Sequence, residues 1–284
     1  MPRFQDKVVI ITGSSSGIGA TTALLFAKEG ARITITGRKQ DKLKVLLYIF
    51  NVMEIHDSIV AAGVSEGRIL SVIGDIRNDE VQKELIERTV AKFGQIDILV
   101  NNAGGFVGMP GFAASDEDFA YIVDLNLKSV MQLTRLARPH LIASKGEIVN
   151  ISSVAGQDFA FPNSPFYAIA KAGLDQFTRA LAIDLIEHGV RVNGVSPGIV
   201  ETSFIENTGL TEEMSKKIYK FYGSQKAAVP RGSIGRPEEI ASVIAFLADR
   251  RVSSYIVGQM IIVDGGSSVI MGAGTMDLES ILSQ

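Results

Sequence analysis

A tyrosine and a lysine four positions apart are the clearest candidates for chemistry in this sequence. Tyr167 and Lys171 lie in the run Tyr-Ala-Ile-Ala-Lys, within a segment of helical pattern. This spacing places the phenol and the ammonium on one helix face, where the cation favours the phenolate and makes the tyrosine an acid or base usable near neutral pH. Such a pair alone is common on ordinary helix surfaces. Its position after Ser152 and Ser153, at the end of a strand, favours catalysis, because open α/β proteins bind ligands at the carboxyl edge of the sheet.

A glycine-rich turn near the start of the chain is suited to a dinucleotide. The first strand runs into Thr12-Gly13-Ser14-Ser15-Ser16-Gly17-Ile18-Gly19, and a helix follows at once. The glycines permit a tight turn, let the backbone approach a pyrophosphate and allow the helix to pack on the sheet. In isolation the triplet fits a structural turn equally well, but the order strand, turn and helix favours cofactor binding.

The end of the second strand bears on which dinucleotide is bound. An NAD enzyme usually has Asp or Glu there, and such a carboxylate would repel the 2′-phosphate of NADP. Here Gly37 takes that position and Arg38 and Lys39 follow it. A guanidinium pairs well with phosphate, so the pattern predicts NADP rather than NAD. The alternative is that the two cations form a solvated helix start.

Alternating strand and helix patterns must position these residues. Val- and Ile-rich runs predict strands at Lys7–Thr12, Arg32–Thr36, Ile69–Ile73, Ile96–Asn101, Glu147–Ser152, Arg191–Ser196 and Met260–Val263. Helices are predicted at Ile18–Glu29, Asn78–Phe93, Asp116–Ile142, Phe166–His188 and Pro237–Asp249. Left-handed helix caps are predicted at Gly30, Gly94, Gly146 and Gly189. The alternation predicts an α/β fold: a doubly wound, parallel, seven-stranded sheet (a Rossmann fold) in a single domain over residues 1–284.

Two regions depart from this alternation of strands and helices. Residues 41–62 are long for a crossover helix, and their middle is apolar on every face. Residues 199–235 form a long connection with a predicted helix at Thr211–Tyr222. Long insertions in compact domains often act as lids, so we expect a substrate lid there.

Composition excludes several other classes of protein. The formal net charge is −3, which argues against nucleic-acid binding. There are no cysteines, and the three histidines are widely spaced, so no metal site is expected. The N-terminus does not resemble a cleavable leader, and no apolar run is long enough to span a bilayer. We therefore expect a cytoplasmic protein that binds neither membrane nor nucleic acid.

The motifs together, in order from about residue 6 to 268, resemble the short-chain dehydrogenase/reductase family. The matching positions are Thr12-Gly-x-x-x-Gly-Ile-Gly19, Asp75, Asn101-Asn102-Ala103-Gly104, Asn126, Ser153, Tyr167-x-x-x-Lys171 and Pro197-Gly198. Three further segments resemble the tropinone-reductase-like branch abundant in nematodes: Thr36–Arg38, Gly146–Ser153 and Ala245–Arg250.

The resemblance implies a catalytic role for four residues. Tyr167 would give a proton to the carbonyl in reduction or take one from the alcohol in oxidation. Lys171 would lower the pKa of Tyr167 and bind the nicotinamide ribose. Ser153 would hydrogen-bond the reacting oxygen, with Ser152 structural. Asn126 would hold a water that links Lys171 to solvent.

The resemblance also implies a set of cofactor contacts. Asp75 would fix the adenine, Asn102 to Gly104 would line the cleft, and Pro197 to Thr202 would embrace the nicotinamide carboxamide. The full expected set is Thr12, Gly13, Ser15, Ser16, Gly17, Ile18, Gly19, Arg38, Lys39, Asp75, Ile76, Asn102, Ala103, Gly104, Ile151, Tyr167, Lys171, Pro197, Gly198, Val200 and Thr202.

The sequence departs from the family pattern in three places. Ser16 stands where many NADP enzymes have a basic residue, so recognition of the 2′-phosphate depends on Arg38 and Lys39. The spacing between Ser153 and Tyr167 is fourteen positions, one more than in many relatives, so we expect a looser turn between them. The segment 41–62 is longer than usual, and we interpret it as an insertion or a misjudged exon boundary.

The function that follows is reversible, NADP-linked reduction of a carbonyl to an alcohol. The alternative is an NADP-binding scaffold or sensor with little turnover; a lyase on the same fold is poorly motivated. The substrate is expected to be a small, apolar ketone or alcohol, because aromatic residues crowd the lid and the active-site strands, at Phe106, Phe159, Phe161, Phe166, Phe204, Tyr219, Phe221 and Tyr222. Core or interface positions are the other explanation for about half of them. The resemblance implies a homotetramer built through the two long helices and the last strand.

Overall fold

All seven strands lie parallel in one sheet. A computed structural model describes residues 2–38, 52–106, 113–157, 162–206 and 209–270. The strands are β1 Val8–Ile11, β2 Arg32–Gly37, β3 Ile69–Ile73, β4 Ile98–Asn101, β5 Glu147–Ile151, β6 Arg191–Pro197 and β7 Met260–Val263. Their spatial order is β3-β2-β1-β4-β5-β6-β7. The order reverses direction between β1 and β4, which is where doubly wound sheets bind ligands.

Helices cover both faces of the sheet. They are α1 Gly17–Lys28, α2 Val52–Ala61, α3 Asp79–Phe93, α4 Asp116–Val123, α5 Ser129–Ser144, α6 Pro165–Ile186, α7 Glu212–Ser224, α8 Pro237–Ala248 and α9 Arg250–Ser253. Short 3₁₀ turns occur at Glu66–Arg68 and Val154–Gly156. The fold class, including the seven parallel strands, is confirmed.

Each central strand supplies side chains to two cores. Val9 and Ile11 of β1 pack in the cluster that contains α1 and α8, whereas Val8 and Ile10 pack in the cluster that contains α3 and α5. Successive side chains of a strand point to opposite faces, so a strand covered on both sides needs an apolar residue at every position. This explains the continuous Val and Ile runs.

The predicted helix at Asp116–Ile142 is interrupted. A single π turn, Asp124–Lys128, separates α4 from α5. Inside it the Asn126 side chain is fully buried, and its Nδ2 donates to the carbonyl of Ile122 at 2.8 Å. One-turn π segments of this kind are frequent at functional sites.

The left-handed cap predicted at Gly146 is wrong. Gly30, Gly94 and Gly189 have positive φ as predicted, but after α5 the left-handed residue is Lys145, with φ of 51°. Gly146 is required for another reason: a Cβ there would lie 2.4 Å from the carbonyl oxygen of Asp97. The glycine allows β5 to start directly against the chain that enters β4.

The two irregular regions are partly described. Residues 39–51 of the long crossover lie outside the described residues, and the remainder forms α2, which buries Val52 and Ile59. The helix predicted at Thr211–Tyr222 is α7, and Thr211 caps it by accepting from the amide of Met214. A short parallel bridge between Val200 and Gly235 closes the base of the 199–235 connection.

Candidate active site

The carboxyl ends of β1 and β4 are joined by a polar side chain. The Thr12 hydroxyl accepts from the amides of Asn102 and Ala103, both at 3.0 Å. Asn102 Nδ2 donates in return to the carbonyls of Thr12 at 2.9 Å and Gly13 at 3.1 Å. These bonds fix the glycine-rich turn against the end of β4.

The glycine-rich turn has the shape that a phosphate needs. Gly13 and Gly17 have φ of 63° and 52°, a region that favours glycine. A Cβ on Gly19 would lie 2.4 Å from both Asn102 Nδ2 and the Gly13 carbonyl. The described first turn of α1 contains no acidic residue, and the Ser16 side chain does not cap it. The first amides of α1 are therefore available to an anion, so the residues present fit a dinucleotide pyrophosphate.

Two residues of the turn make contacts on its outer side. Ser15 lies against Gly37 of β2, where an added Cβ would come within 2.9 Å of its hydroxyl. Ile18 packs against the core beneath α1. The turn is thus supported by β2 on one side and by the core on the other.

Tyr167 stands in the first turn of α6 beside Ser153. The Tyr167 side chain is only 7% exposed, and its phenol lies close enough to Ser153 for that side chain to lower the pKa of the phenol. Ser153 begins the 3₁₀ turn after β5, where its hydroxyl also accepts from the amide of Ala155 at 3.1 Å. Residues 158–161 of the connection lie outside the described residues, so the looser turn expected between Ser153 and Tyr167 stays a prediction.

Lys171 lies one turn further along α6 and is also buried. Its Nζ donates to the carbonyl of Ile151, the last residue of β5, at 2.9 Å and lies 5.5 Å from the Tyr167 ring centroid. A Cβ on Gly104 would lie 2.8 Å from Asn126 Oδ1 and 3.2 Å from Lys171 Nζ. Asn126, Lys171 and the Asn102–Gly104 segment therefore converge, as the sequence predicted.

Burial controls the protonation of the two titratable groups. Desolvation raises the pKa of Tyr167 to about 12, although the Ser153 hydrogen bond opposes it. Desolvation lowers the pKa of Lys171 to about 8. The effect of the Lys171 ammonium on the pKa of Tyr167 stays a prediction. Because its pKa is raised, the phenol carries its proton at neutral pH.

A polar network beneath the site was missed by the sequence reasoning. Asp175 is 2% exposed, accepts from Gln157 Nε2 and has its pKa raised to about 6 by burial. The same Gln157 nitrogen donates to the Ser196 hydroxyl at 3.3 Å, at the end of β6. The signal was present, since Asp175 follows Lys171 by four positions and shares its helix face.

At the ends of β2 and β3, the expected cofactor-binding residues Arg38 and Asp75 each contact a residue that the sequence did not single out. Arg38 Nη1 donates to the Tyr121 hydroxyl at 3.2 Å. Asp75 is bound by Arg77 through a pair with Nη2 at 2.7 Å and Nε at 3.1 Å. Ile76 between them is buried in the core. Lys39, predicted to share the 2′-phosphate, lies outside the described residues.

The segment after β6 reaches back to the glycine-rich turn. Ser203 Oγ donates to Ser16 Oγ at 2.9 Å, and a Cβ on Gly17 would lie 3.0 Å from the Thr202 side chain. The Tyr219 hydroxyl of α7 donates to the Thr202 carbonyl at 2.9 Å. Pro197 ends β6 and Gly198 packs tightly on Asp264, while Val200 is buried. A cavity of about 310 Å³ opens between Ser16, Gly17 and this segment.

Two phenylalanines enclose the catalytic ring. The Phe106 and Phe204 centroids lie 5.6 Å and 5.9 Å from that of Tyr167 and 5.0 Å from each other. Phe166 contacts Phe119 instead, at 5.0 Å. Phe159 and Phe161 lie outside the described residues. The surface next to the Tyr167 phenol is therefore aromatic.

The described ranges lack two other kinds of feature. They contain no group of three or more His, Cys, Asp or Glu that could hold a metal ion. Among the helices within them, none combines the length and the apolar character needed to cross a membrane.

Known proteins are similar to this chain in sequence and structure over nearly its whole length. The family model described as Enoyl-(Acyl carrier protein) reductase matches residues 13–268. The chain is 36% identical over 267 residues to the 3-oxoacyl-[acyl-carrier-protein] reductase FabG of Thermotoga maritima, which covers 93% of this chain and 98% of that protein.

Two solved structures from Caenorhabditis elegans are similar as well. A short-chain dehydrogenase/reductase of unknown function with cofactor has a TM-score of 0.91 and 47% identity, covering 97% of this chain and 100% of that one. A glucose dehydrogenase in its apo-form has a TM-score of 0.78 and 49% identity, covering 94% and 100%. Both agree with the nematode resemblance noted in the sequence. The chain belongs to the short-chain dehydrogenase/reductase family and is an NAD(P)-dependent oxidoreductase.

Proposed function

We propose that this protein reduces the carbonyl group of a small, apolar ketone to an alcohol, reversibly and with NADP as cofactor. The observation that carries the proposal is the burial of the Tyr167 phenol beside Ser153, at the sheet edge that also holds the phosphate-binding turn. Two similar proteins, a 3-oxoacyl-[acyl-carrier-protein] reductase and a glucose dehydrogenase, are named for chemistry that interconverts a carbonyl and an alcohol.

In this mechanism the protein supplies a proton and holds the carbonyl oxygen. When bound, the reduced nicotinamide supplies the hydride that reaches the carbonyl carbon. Tyr167, protonated at neutral pH because its pKa is raised to about 12, gives its proton to the carbonyl oxygen. Ser153 hydrogen-bonds the same oxygen as negative charge develops on it. Hydride and proton together convert C=O to CH–OH.

Lys171 and Asn126 would act behind the tyrosine. The Lys171 ammonium lies close enough to the phenol to stabilise the tyrosinate left after proton transfer. Asn126 is held by Gly105, whose carbonyl accepts from Nδ2 at 2.7 Å. We assign Asn126 the role of holding a water that returns a proton to Lys171 and Tyr167 from solvent.

The preference for NADP rests on the end of β2. Gly37 places no carboxylate there, and Arg38 follows with a guanidinium that can pair with the 2′-phosphate. Ser15 and Ser16 add hydroxyl groups beside the same turn. The remaining cofactor contacts of the sequence analysis are proposed unchanged, including Ile151, Pro197, Gly198, Val200 and Thr202.

The aromatic enclosure supports an apolar substrate. A ketone that reaches Tyr167 must meet Phe106 and Phe204, and Phe204 lies in the proposed lid at 199–235. Aromatic rings favour apolar or flat partners, which they contact through faces and edges. A charged substrate would lose hydration without gaining a partner from these rings.

The single-domain reading over 1–284, the cytoplasmic location and the homotetramer remain proposals. The tetramer is supported by exposed apolar side chains on the helices the sequence singled out, at Met131, Ile169, Ile183 and Ile186, and by Ile262 on β7. Sedimentation of the purified protein at several concentrations measures its oligomeric state.

The function is tested first by cofactor binding and turnover. Fluorescence titration with NADPH and NADH gives the preference, and NADPH oxidation is then followed against a panel of ketones and quinones. We expect NADPH-selective binding and turnover that is lost in Tyr167→Phe. Tight NADPH binding with no turnover across the panel would favour the scaffold or sensor alternative.

A further inference from the structure

One tyrosine contacts two arginines at the ends of β2 and β3. Arg38 donates to the Tyr121 hydroxyl at 3.2 Å, and the Arg77 guanidinium carbon lies 4.3 Å from the Tyr121 ring centroid. The phenol comes from α4, across the cleft from both strands. Tyr121 therefore holds both guanidinium groups. Its hydroxyl accepts a hydrogen bond from Arg38, and the face of its ring attracts the Arg77 cation.

The two arginines differ in their charge partners. Arg77 is neutralised by Asp75, which accepts from its Nη2 at 2.7 Å and from its backbone amide at 3.0 Å. Although burial opposes it, Arg77 holds the pKa of Asp75 below its usual range, and Asp75 raises the pKa of Arg77. No carboxylate oxygen within the described residues comes within 4.0 Å of the Arg38 guanidinium. The net positive charge of the group therefore lies on Arg38.

Gly37, the residue before Arg38, leaves the Arg38 charge available to an anion. Gly37 cannot carry a side chain without meeting Ser15 and Val52, since an added Cβ would lie 2.9 Å and 3.0 Å from their atoms. Tyr121 therefore supplies a neutral acceptor for Arg38 where an acidic residue would cancel the charge. A neutral partner orients a cation without reducing its attraction for an anion.

We propose that Tyr121 is a positioning residue that sets the preference for the 2′-phosphate of NADP over the 2′-hydroxyl of NAD. Its hydroxyl orients the Arg38 guanidinium, and its ring holds Arg77 beside Asp75, so that Arg77 does not compete with Arg38 for the Tyr121 hydroxyl. The inference rests on the proposed use of NADP and adds the residue that prepares its phosphate contact.

The test uses adenosine fragments and therefore needs no substrate. Calorimetric titration of the full chain with 2′,5′-ADP and with 5′-AMP measures the contribution of the 2′-phosphate alone. In Tyr121→Phe, which keeps the ring and removes the hydroxyl, we expect the dissociation constant of 2′,5′-ADP to rise about fivefold. That of 5′-AMP should change less than twofold. Tyr255→Phe is the matched control, because Tyr255 is fully exposed.

A double-mutant cycle shows whether the effect passes through Arg38. In an Arg38→Leu background the 2′-phosphate advantage should already be lost, and Tyr121→Phe should add nothing further. Equal weakening of both fragments by Tyr121→Phe would overturn the inference, since it would assign Tyr121 to the adenosine as a whole. An unchanged 2′,5′-ADP affinity would overturn it as well.

Failure of the inference is distinguishable from failure of the proposed cofactor. If the unmodified protein binds 2′,5′-ADP no better than 5′-AMP, the NADP assignment itself fails and the inference falls with it. If the unmodified protein prefers 2′,5′-ADP and Tyr121→Phe keeps the full preference, only the role of Tyr121 is refuted. Thermal melting of each variant verifies that it is folded.

Discussion

Lys171 Nζ donates a hydrogen bond to the backbone carbonyl of Ile151 at 2.9 Å, and no carboxylate among the described residues forms an ion pair with it. A buried ammonium with a neutral partner is held in a form that water would stabilise better. This explains why the pKa of Lys171 falls to about 8. It also means that the charged form of Lys171 lowers the free energy of unfolding by a measurable amount.

The stability of the protein should depend on pH through Lys171. Its pKa is depressed from 10.5 to about 8, so between these values the unfolded chain binds a proton that the folded chain does not. Stability therefore rises with pH in this window, by up to about 3 kcal/mol. In Lys171→Met this rise should disappear. Denaturant unfolding at pH 7, 8, 9 and 10 measures it, and Lys28→Met, at an exposed position of α1, should behave like the unmodified protein.

The activity at high pH should depend on Asp175. Burial lowers the pKa of Lys171, but the nearby Asp175 charge opposes that shift. Lys171, with a pKa of about 8, loses its proton before Tyr167 does, so it sets the high-pH limb of kcat/KM. Asp175→Asn should move that limb to lower pH by less than about one unit. Asp184→Asn, on the exposed side of α6, is the comparison, and identical limbs in all three proteins would contradict the coupling.

Gly19→Ala should impair the phosphate-binding turn although it lies in a helix. Alanine normally favours a helix interior over glycine by about 1 kcal/mol. Here the added Cβ would lie 2.4 Å from Asn102 Nδ2 and from the Gly13 carbonyl, so the turn must shift. We expect NADPH binding to weaken at least tenfold and the free energy of unfolding to fall. Gly67→Ala is the control, because its Cβ would meet only Ser65 Oγ, at 3.8 Å.

Phe204→Ala should separate substrate binding from cofactor binding. The Phe204 ring packs edge-on against Tyr167 and Phe106 and makes no cofactor contact in the proposed site. Its loss should raise KM for an apolar ketone about tenfold, which corresponds to about 1.4 kcal/mol. The affinity for NADPH should stay within twofold. Phe221→Ala, whose ring on α7 is 61% exposed, should leave both unchanged; an equal rise in both variants would argue against the enclosure.

The sequence was sufficient for the fold because its signals are local. Val and Ile runs and glycine helix caps act within a few residues, and the caps at Gly30, Gly94 and Gly189 appear where they were predicted. The position of Tyr167 and Lys171 beside Ser153 was also predictable, because Ser153 follows a strand whose end lies at the ligand-binding edge of the sheet, whereas Asn126 was assigned to the site by the family resemblance.

The remaining features depend on contacts between distant segments. The contact between Arg77 and Tyr121 was missed because the two residues are far apart in the chain. Only the three-dimensional fold shows that the end of a strand and a residue of α4 lie side by side. Lys145 took the left-handed conformation because Gly146 was already needed against Asp97, a contact 49 positions away. The rise in the pKa of Tyr167 comes from burial among side chains of several elements, which spacing along a helix does not report.

The π turn at Asp124–Lys128 makes the length of this region matter residue by residue. Each α-helical residue advances the chain by about 100° around the helix axis. A π turn holds one residue more than an α-helical turn for about the same rotation, so it keeps α4 and α5 in phase. Removing Val123 while the π turn is kept would therefore rotate everything before it by about 100° relative to α5. Ile122 would leave the core, and Tyr121 would face away from Arg38. The residue types of this segment can vary, but a single-residue deletion that the π turn does not take up would put its two halves out of phase.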